Sequence, residues 1–472
     1  MRLFHALLLA VQLCRLAQAK AVFAHYMVGN ITDEHAHQDV DDAIAMGLDA
    51  FSLNIGYPQA SHVYPALASL FGYTAYLNSL GTNFKLFISM DLWAAGAIKH
   101  ADGTSVNAFD YGDLFAEFKD NAAYYRGPNG HPFVTTFSDG GMNNDSLLGF
   151  RKQVFQDNVY FVPDLDHTEG FNTSHPYWWD YWGPTFEGVT AWEMAWMSRD
   201  GYGGLYVGDV DLDTQVIEGS ELGPGTKAHG KSYMMPLSTL QYKDAYATNV
   251  YRPGGLNLIK RMENILKMPT QPDFVQLITW NDGPESHYIG NLWPEQNTDA
   301  EPNVYMRPGK ASHTAWQPLI SSWIAAYKNG VTSRDQFALP PGTVDLQNAV
   351  GAIWYKTILQ SVDCNGASPP SGFSSGTDTV AWAVVVDGVG SYRIRYGSQS
   401  ADLAVGLNSG EWPATAGSVR FEIVDSLGTL MYVANSGACI SDFCVDGIYN
   451  MNVQVAGFSS PSMEDTECAV QL

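Results

Sequence analysis

Basic residues are scarce in this chain: 25 Lys and Arg stand against 49 Asp and Glu, a formal net charge of −24 over 472 residues. Such an acidic surface repels phosphate, which excludes nucleic acid and anionic membrane as natural partners and favours a neutral substrate. Charged residues of either sign make up only 16%, too few for recognition built mainly on ion pairs. Beyond the first residues no segment approaches the roughly 20 apolar residues that span a bilayer, and the carboxyl end, ECAVQL, lacks the hydrophobic tail of a lipid-anchor signal. No Gly-rich phosphate loop follows the first apolar run (FAHYMVGN), and the chain has no HExxH pair and no GxSxG elbow. These absences remove dinucleotide, zinc-protease and serine-esterase chemistry. His35-Ala36-His37 and Asp209-Val210-Asp211-Leu212-Asp213 lack the flanking ligands of a zinc or calcium site and read as solvated loops. No metal or cofactor is expected. Internal repeats and low-complexity tracts are absent too.

What is present begins with residues 1–19, where Arg2, the apolar LLLAVQL and the small-residue ending AQA have the layout of a cleaved secretory signal. Three N-glycosylation acceptors, at Asn30, Asn144 and Asn172, agree with secretion. Of five cysteines, Cys14 leaves with the signal, and Cys364, Cys439, Cys444 and Cys468 remain, all in the last quarter. In an oxidising compartment they read as two disulfides, with three pairings open. Aromatics reach 13%, including 13 Trp and 25 Tyr, a stock suited to stacking on sugar rings.

Short apolar runs alternate with amphipathic ones over residues 20–335. Strands are expected at Ala21 to Val28, Ala50 to Ile55, Lys85 to Met90, Phe133 to Phe137, Val159 to Val162, Gly188 to Trp192, Ser232 to Pro236 and Phe274 to Thr279. Helical spacing lies between them, for example over Val63 to Leu80, Tyr111 to Tyr125, Ser146 to Gln156 and Leu256 to Leu266. This pattern predicts an α/β chain folded as a (β/α)8 TIM-type barrel, with a doubly wound open sheet as the alternative. Residues 336–472 differ. A mixed patch and a linker-like Ser368-Pro369-Pro370-Ser371-Gly372 precede short β-rich runs such as Thr379 to Val386, Ser391 to Tyr396 and Val419 to Val424. They predict a smaller C-terminal antiparallel β-sandwich carrying the cysteines, with Trp382 and Trp412 as exposed aromatics, and packing against the barrel as its main role.

A barrel places its chemistry where strands end. The last barrel strand runs into Trp280, Asn281, Asp282, Glu285, His287 and Tyr288, the densest polar patch in the chain. Two nearby carboxyls can divide the work of splitting a glycosidic bond, one donating a proton and one activating water or attacking; the competing reading is that they cap a turn. Asp91 follows an apolar run directly and lies close to Trp93. Asn54, Asp164, Trp192 and Glu193 end other strands. His25, within the first strand, reads as structural or as part of the site's floor; His287 as a substrate contact or as the partner that orients a carboxyl.

The segments VFAHYMVGN, DAFSLNIG, FKLFISMD, YFVPD, SYMMP, TWNDGPESHYIGN and HTAWQPLISSWIAAYKNG, in order from Val22 to Gly330, resemble the fungal α-1,3-glucanase (mutanase) family, glycoside hydrolase family 71. The resemblance implies a secreted barrel that cleaves α-1,3-glucan with inversion, and it matches the family's carboxylates to Asp91, Asp282 and Glu285. Two stretches depart from the family pattern: Ser238 to Lys243, where an aromatic segment is usual, and Asp164-Leu165-Asp166-His167. On this reading Glu285, its pKa raised by aromatics, is the general acid; either Asp282 or Asp91 activates the water, with Asp282 favoured as the base and Asp91 then orienting water or stabilising charge on the sugar. Asn54, Trp93, Asp164, Trp192, Trp280, His287 and Tyr288 are the expected substrate contacts. The protein is expected to act as a monomer. The alternative is a non-catalytic cell-wall polysaccharide binder on a degenerate barrel, which the two altered stretches favour and the intact carboxylates oppose.

Overall fold

The computed structural model describes residues 20–198, 203–306, 311–343, 348–388, 390–461 and 468–469. The signal segment 1–19, with Cys14, lies outside the described residues. Ten strands precede residue 280: β1 (Ala21–Met27), β2 (Ala50–Ile55), β3 (Lys85–Asp91), β4 (Phe133–Phe137), β5 (Tyr160–Val162), β6 (Gly188–Thr190), β7 (Ser232–Ser238), β8 (Gln241–Ala245), β9 (Thr248–Arg252) and β10 (Phe274–Ile278). Eight of them form one parallel sheet in the order β5-β4-β3-β2-β1-β10-β7-β6. A parallel bridge between Asp164 and Thr190, with Glu187 N–H donating to the Phe161 carbonyl at 2.9 Å, joins its two edges and closes the barrel. All eight expected barrel strands are present, and the doubly wound alternative falls.

The period of two along each strand sorts the barrel's interior into layers. Phe23, Phe87, Phe133 and Phe274 meet ring to ring, with Phe23 4.9 Å from Phe87 and 5.5 Å from Phe274, and plug one end. Two residues further along β1 comes His25, and then Met27. The same step along β3 leads from Phe87 to Ser89 and Asp91, so the interior turns polar toward the strands' carboxyl ends. There His25, Met27, Asn54 and Asp91 line an open cavity.

Some helices are shorter than their periodicity suggests. Tyr111 to Tyr125 holds only the helix Gly112–Phe118, because Asn121 Oδ1 accepts the Ala123 N–H at 2.8 Å and turns the chain out. The two pairs read as solvated are both structured. His35 and His37 lie in the helix Asp33–Met46, stacked on Trp293 and Tyr73 at 3.7 and 3.8 Å. Asp213 is buried and ion-paired with Arg261 at 2.8 Å, its other oxygen accepting from the Tyr233 hydroxyl at 2.6 Å, while Asp209 accepts the Leu205 and Asp211 N–H groups.

The C-terminal region contains β11 (Ala349–Lys356), β12 (Thr379–Val386), β13 (Tyr392–Tyr396), β14 (Gln399–Leu403), β15 (Gly406–Pro413), β16 (Gly417–Ser418), β17 (Phe421–Asp425), β18 (Leu430–Ala434), β19 (Cys439–Ile440) and β20 (Val453–Gly457). Two four-stranded antiparallel sheets, β15-β12-β11-β20 and β14-β13-β17-β18, face each other over a shared core that includes Ile353, Val384, Ile394 and Phe421. Trp382 and Trp412 belong to that core, Trp412 stacking on Phe421 at 5.4 Å, and are not exposed sugar platforms. The disulfides are Cys364–Cys444 and Cys439–Cys468. Among the described residues no helix is long and apolar enough to cross a membrane.

The mixed patch before residue 370 is the central strand β11. Its sequence AVGAIWYK shows no alternation because both of its faces are buried: Ile353 and Tyr355 face the sandwich core, while Val350, Ala352 and Trp354 pack in the core shared with the barrel. The linker-like Ser368 to Gly372 is docked as well, exchanging backbone hydrogen bonds with the β9 strand through Ser371 and Asn249 at 3.0 Å and Tyr251 at 2.8 Å.

Candidate active site

The loop after β10 is built to hold two carboxyls together. Asp282 N–H donates to Thr279 Oγ1 at 2.9 Å, and Asp282 Oδ1 accepts the Glu285 N–H at 3.1 Å, so the aspartate caps the DGPE turn as the competing reading supposed. Ser286 then adopts a left-handed φ of 62°, which swings His287 back onto Glu285. The loop is anchored by Asn281, whose side-chain oxygen accepts the Met27 N–H at 2.7 Å while its amide donates to the Met27 carbonyl at 3.1 Å. Gly290 closes the loop against the Trp280 ring, where a Cβ would lie 2.3 Å from a ring carbon.

Glu285 is gripped on both oxygens. Gln241 Nε2 donates to Oε2 at 2.6 Å, His287 Nε2 lies 3.2 Å from the same oxygen, and Lys243 Nζ sits 3.1 Å from Oε1. His287 Nδ1 lies 3.2 Å from Thr279 Oγ1, so the ring bridges the threonine hydroxyl and the carboxylate. Burial alone would push the Glu285 pKa up, but His287, Lys243 and Gln241 outweigh it and hold the carboxyl well below the usual range. Aromatics therefore do not raise Glu285, contrary to the sequence reading. Asp282 is the group that is raised: burial lifts it to about 6, and the charge of Glu285 adds to the effect. Donor atoms of Asp282, Glu285 and His287 lie within 4.8 Å of one another. Two carboxyls at that range bind one proton between them far more easily than none, and these surroundings leave it on Asp282. A cation could in principle use the same three side chains, but the Lys243 ammonium already occupies that electrostatic role.

Asp91 ends β3, three strands from β10 around the barrel. It too does double duty: Oδ1 caps the helix Leu92–Ala97 by accepting the Ala94 N–H at 2.8 Å, and Oδ2 accepts from Asn54 Nδ2 at 2.9 Å. Burial raises its pKa, and these two bonds oppose the rise.

These carboxyls open into one cavity of about 620 Å3, within the range of small-molecule sites. Of the expected contacts, Asn54, Trp93, Asp164 and Trp192 line it, and so does His25 on its floor. Trp192 is edge-on to His25 and to Phe137, each at 4.8 Å, and Trp93 is 75% exposed at the mouth. Burial and the neighbouring Asp166 raise the Asp164 pKa strongly. Burial also lowers the His25 pKa to about 3, so the ring is neutral.

Three expected contacts are not in the cavity wall. Trp280, the second residue after β10, is wholly buried against Phe51 at 5.0 Å. Tyr288 is buried the same way, stacked on His313 at 3.8 Å with its hydroxyl donating to the Ala311 carbonyl at 2.5 Å. His287 is completely buried behind Glu285 and orients it, which was the second of its two expected roles.

Sequence reasoning missed Gln241, Lys243 and Tyr246, which the β8–β9 hairpin brings over the mouth. Its turn, Tyr246-Ala247, has left-handed φ values of 56° and 59° without the Asn or Gly that normally announces such a turn. Asp166 was also passed over: its Oδ2 accepts the N–H groups of Trp192 and Glu193, each at 2.8 Å, and so fixes the loop carrying Trp192.

Adjacent carboxyls with one proton between them, a third carboxylate across the mouth and aromatic walls, at the carboxyl end of a (β/α)8 barrel, define a glycoside hydrolase type of site. The sequence matches the model of glycosyl hydrolase family 71 over residues 18–467. The chain belongs to that family. It is similar to a mutanase of Penicillium rubens, with 26% identity over 460 residues covering 93% of this chain and 89% of the relative. It is also similar to a glucan endo-1,3-alpha-glucosidase of Schizosaccharomyces pombe, with 30% identity over 339 residues covering 66% of this chain and 67% of the relative. Among solved structures, a GH99 endo-alpha-mannosidase from Bacteroides thetaiotaomicron aligns with a TM-score of 0.44 at 8% identity, over 66% of this chain and 99% of that one.

Proposed function

We propose that this protein is a secreted hydrolase of α-1,3-glucan, acting as a monomer through its 20–335 barrel with the 336–472 region as support, and that it inverts the anomeric carbon. The Asp282–Glu285 pair donates the proton to the leaving glycosidic oxygen. That proton rests on Asp282 in the free enzyme, and the ionised Glu285 beside it favours positive charge on the sugar. Asp91 receives a proton from the attacking water. The observation that carries this division is separation: the two loop carboxyls approach within 4.8 Å, too near for the roughly 6.5–9.5 Å that an inverting acid and base require. Asp91 stands across the barrel mouth from them. The acidic chain and a cavity wall of aromatics and carboxyls suit an uncharged polymer, and the names of the two relatives supply the linkage.

Purified protein incubated with alkali-soluble α-1,3-glucan, α-1,4-glucan and β-1,3-glucan tests the reading. Only the first should release reducing sugar, proton NMR of the earliest products should show the β-anomer, and Asp91→Asn, Asp282→Asn and Glu285→Gln should each abolish release. Sedimentation with the polymer without any cleavage would instead make the protein a wall-binding one, and an α-anomer product would remove Asp91 from the role of base.

A further inference from the structure

A second cavity, of about 870 Å3, lies beside the first. The two share Asp166 and His167, so they adjoin along one wall. Its far wall comes from the helix Pro176–Trp182, where Tyr177 and Tyr181 are four residues apart and therefore on one face. Tyr177 is 78% exposed and Tyr181 47% exposed, although both adjoin a cavity, while Trp178 and Trp182 lie buried beneath them. Neither tyrosine is loosely held. The His175 ring stacks on Tyr177 at 5.1 Å, and the Tyr181 hydroxyl accepts the Asn144 N–H at 3.1 Å while the Asn144 side-chain amide donates to the Tyr181 carbonyl. The remaining wall offers hydroxyls, an amide and a carboxylate from Thr168, Thr173, Asn172 and Glu169. Held aromatic rings above a rim of hydrogen-bonding groups are what a sugar ring needs: an apolar face to cover its C–H groups and partners for its hydroxyls.

We propose that this cavity is a distal binding site for the same polymer, taking a stretch of neutral glucan that runs out of the active cleft past His167 and stacks on Tyr177 and Tyr181. The proposal rests on the function assigned above and adds to it a grip on the chain well away from the scissile bond. Such remote contact raises kcat/KM for long substrates and leaves short ones unaffected.

The test is kcat/KM across a length series of α-1,3-linked gluco-oligosaccharides, with the parent, Tyr177→Ala and Tyr177→Phe compared. Tyr177 is mostly exposed, so the substitution spares the fold. Loss should be absent for the shortest substrates, grow with length to roughly five- to tenfold, and be restored by Tyr177→Phe, which keeps the ring. Equal loss at every length, or none at any, overturns the distal site. If the parent cleaves no α-1,3-glucan, the function assigned above fails instead. Calorimetric binding of long and short oligosaccharides to Asp282→Asn, with and without Tyr177→Ala, then decides the distal site alone: a length-dependent loss of affinity supports it and its absence overturns it. Asn172 on this wall is also a glycosylation acceptor. Peptide mapping that finds Asn172 fully occupied by a glycan on active protein would fill the cavity and overturn the proposal.

Discussion

Replacing Lys243 with Met removes the only ammonium in contact with Glu285 among the described residues while keeping the length of the side chain. At 3.1 Å, a pair of unit charges is worth about 1.3 kcal/mol in water and about 5 kcal/mol at an effective dielectric near 20. The two side chains keep 20% and 21% of their exposure, so solvent screening places the contribution in the lower half of that range, about 1.4–2.7 kcal/mol. At 1.36 kcal/mol per pKa unit, losing the cation should raise the Glu285 pKa by about 1–2 units. Lys243 also lowers the Asp282 pKa, so that value rises too, by less. The sign for activity follows from the single proton on the pair. Below the Glu285 pKa both carboxyls are protonated, above the Asp282 value near 6 both are charged, and kcat/KM falls on either side. Profiles of kcat/KM from about pH 2.5 to 8 should show the parent losing activity through pH 6 on the alkaline side; Lys243→Met should move that limb up, by less than the roughly 1–2 units expected for Glu285 itself, while the acid limb, set by the base Asp91 whose pKa burial raises, stays in place. An alkaline limb that does not move in the variant would refute the claim that Lys243 acts on the carboxyl pair, and a parent limb far from 6 would refute the placement of the proton.

Asp282→Asn should abolish hydrolysis yet stabilise the fold at neutral pH. A folded pKa near 6 against about 3.8 unfolded means the native state binds the proton more tightly, a contribution present below pH 4 and lost as pH rises through 6. The variant's gain in Tm over the parent should therefore appear at pH 7 and vanish at pH 4, with an upper bound of about 3 kcal/mol; a gain of equal size at both pH values would refute it. Trp280→Ala should cost about 3–5 kcal/mol in denaturant unfolding, and Tyr288→Phe about 1–2 kcal/mol because the Ala311 carbonyl loses its donor. In both, the surviving folded enzyme should keep its KM, since neither ring lines the cavity; a large rise in KM with unchanged stability would return them to the substrate. The barrel expressed alone as residues 20–335 should not yield active enzyme. It would expose the surface that covers Val350, Ala352, Trp354, Val385, Leu407 and Val455, a loss on the order of 10 kcal/mol against a total stability of about 5–15. Activity of the isolated barrel near that of the whole chain would refute this.

The legible part of the fold was whatever had one periodicity. Barrel strands such as FVQLI at β10 and KLFISMD at β3 are apolar runs that end in polar residues, and their ends gave Asp91, Asp282 and Glu285 directly. Where burial came from two sides the pattern dissolved: β11 lacks alternation because the barrel and the sandwich each cover one of its faces. The direction of a side chain beyond a strand end was not legible either. Trp280 and Tyr288 share a loop with Glu285, and only the left-handed turn at Ser286 and the close approach at Gly290 decide which residues face the cavity. Most consequential was Lys243. Its hairpin has no glycine at the turn, and its distance of 42 residues from Glu285 hides the pairing from any local pattern.

That hairpin links the chemistry to the C-terminal half of the molecule. Through β8 it supplies Gln241 and Lys243 to Glu285, and through β9 it is hydrogen-bonded to Ser371 of the segment preceding the sandwich. On the other side of the same loop, His313 sets Nδ1 against the Tyr288 carbonyl and Nε2 against the Val453 carbonyl of β20, each at 3.0 Å, its neutral ring donating to one of the two. The stretch that carries Asp282 and Glu285 is therefore tied to elements beyond residue 310 as well as to the barrel, where Trp280 N–H donates to the His25 carbonyl of β1, Asn281 holds Met27, and Tyr242 N–H donates to the Glu285 carbonyl. A carboxylate whose protonation is set by a lysine at 3.1 Å and an amide at 2.6 Å depends on positions held to a few tenths of an ångström. Loop residues alone fray at that scale. Two disulfides and a sandwich packed on the barrel supply the stiffness, which gives the C-terminal region a part in the reaction although none of its described residues lines the active-site cavity.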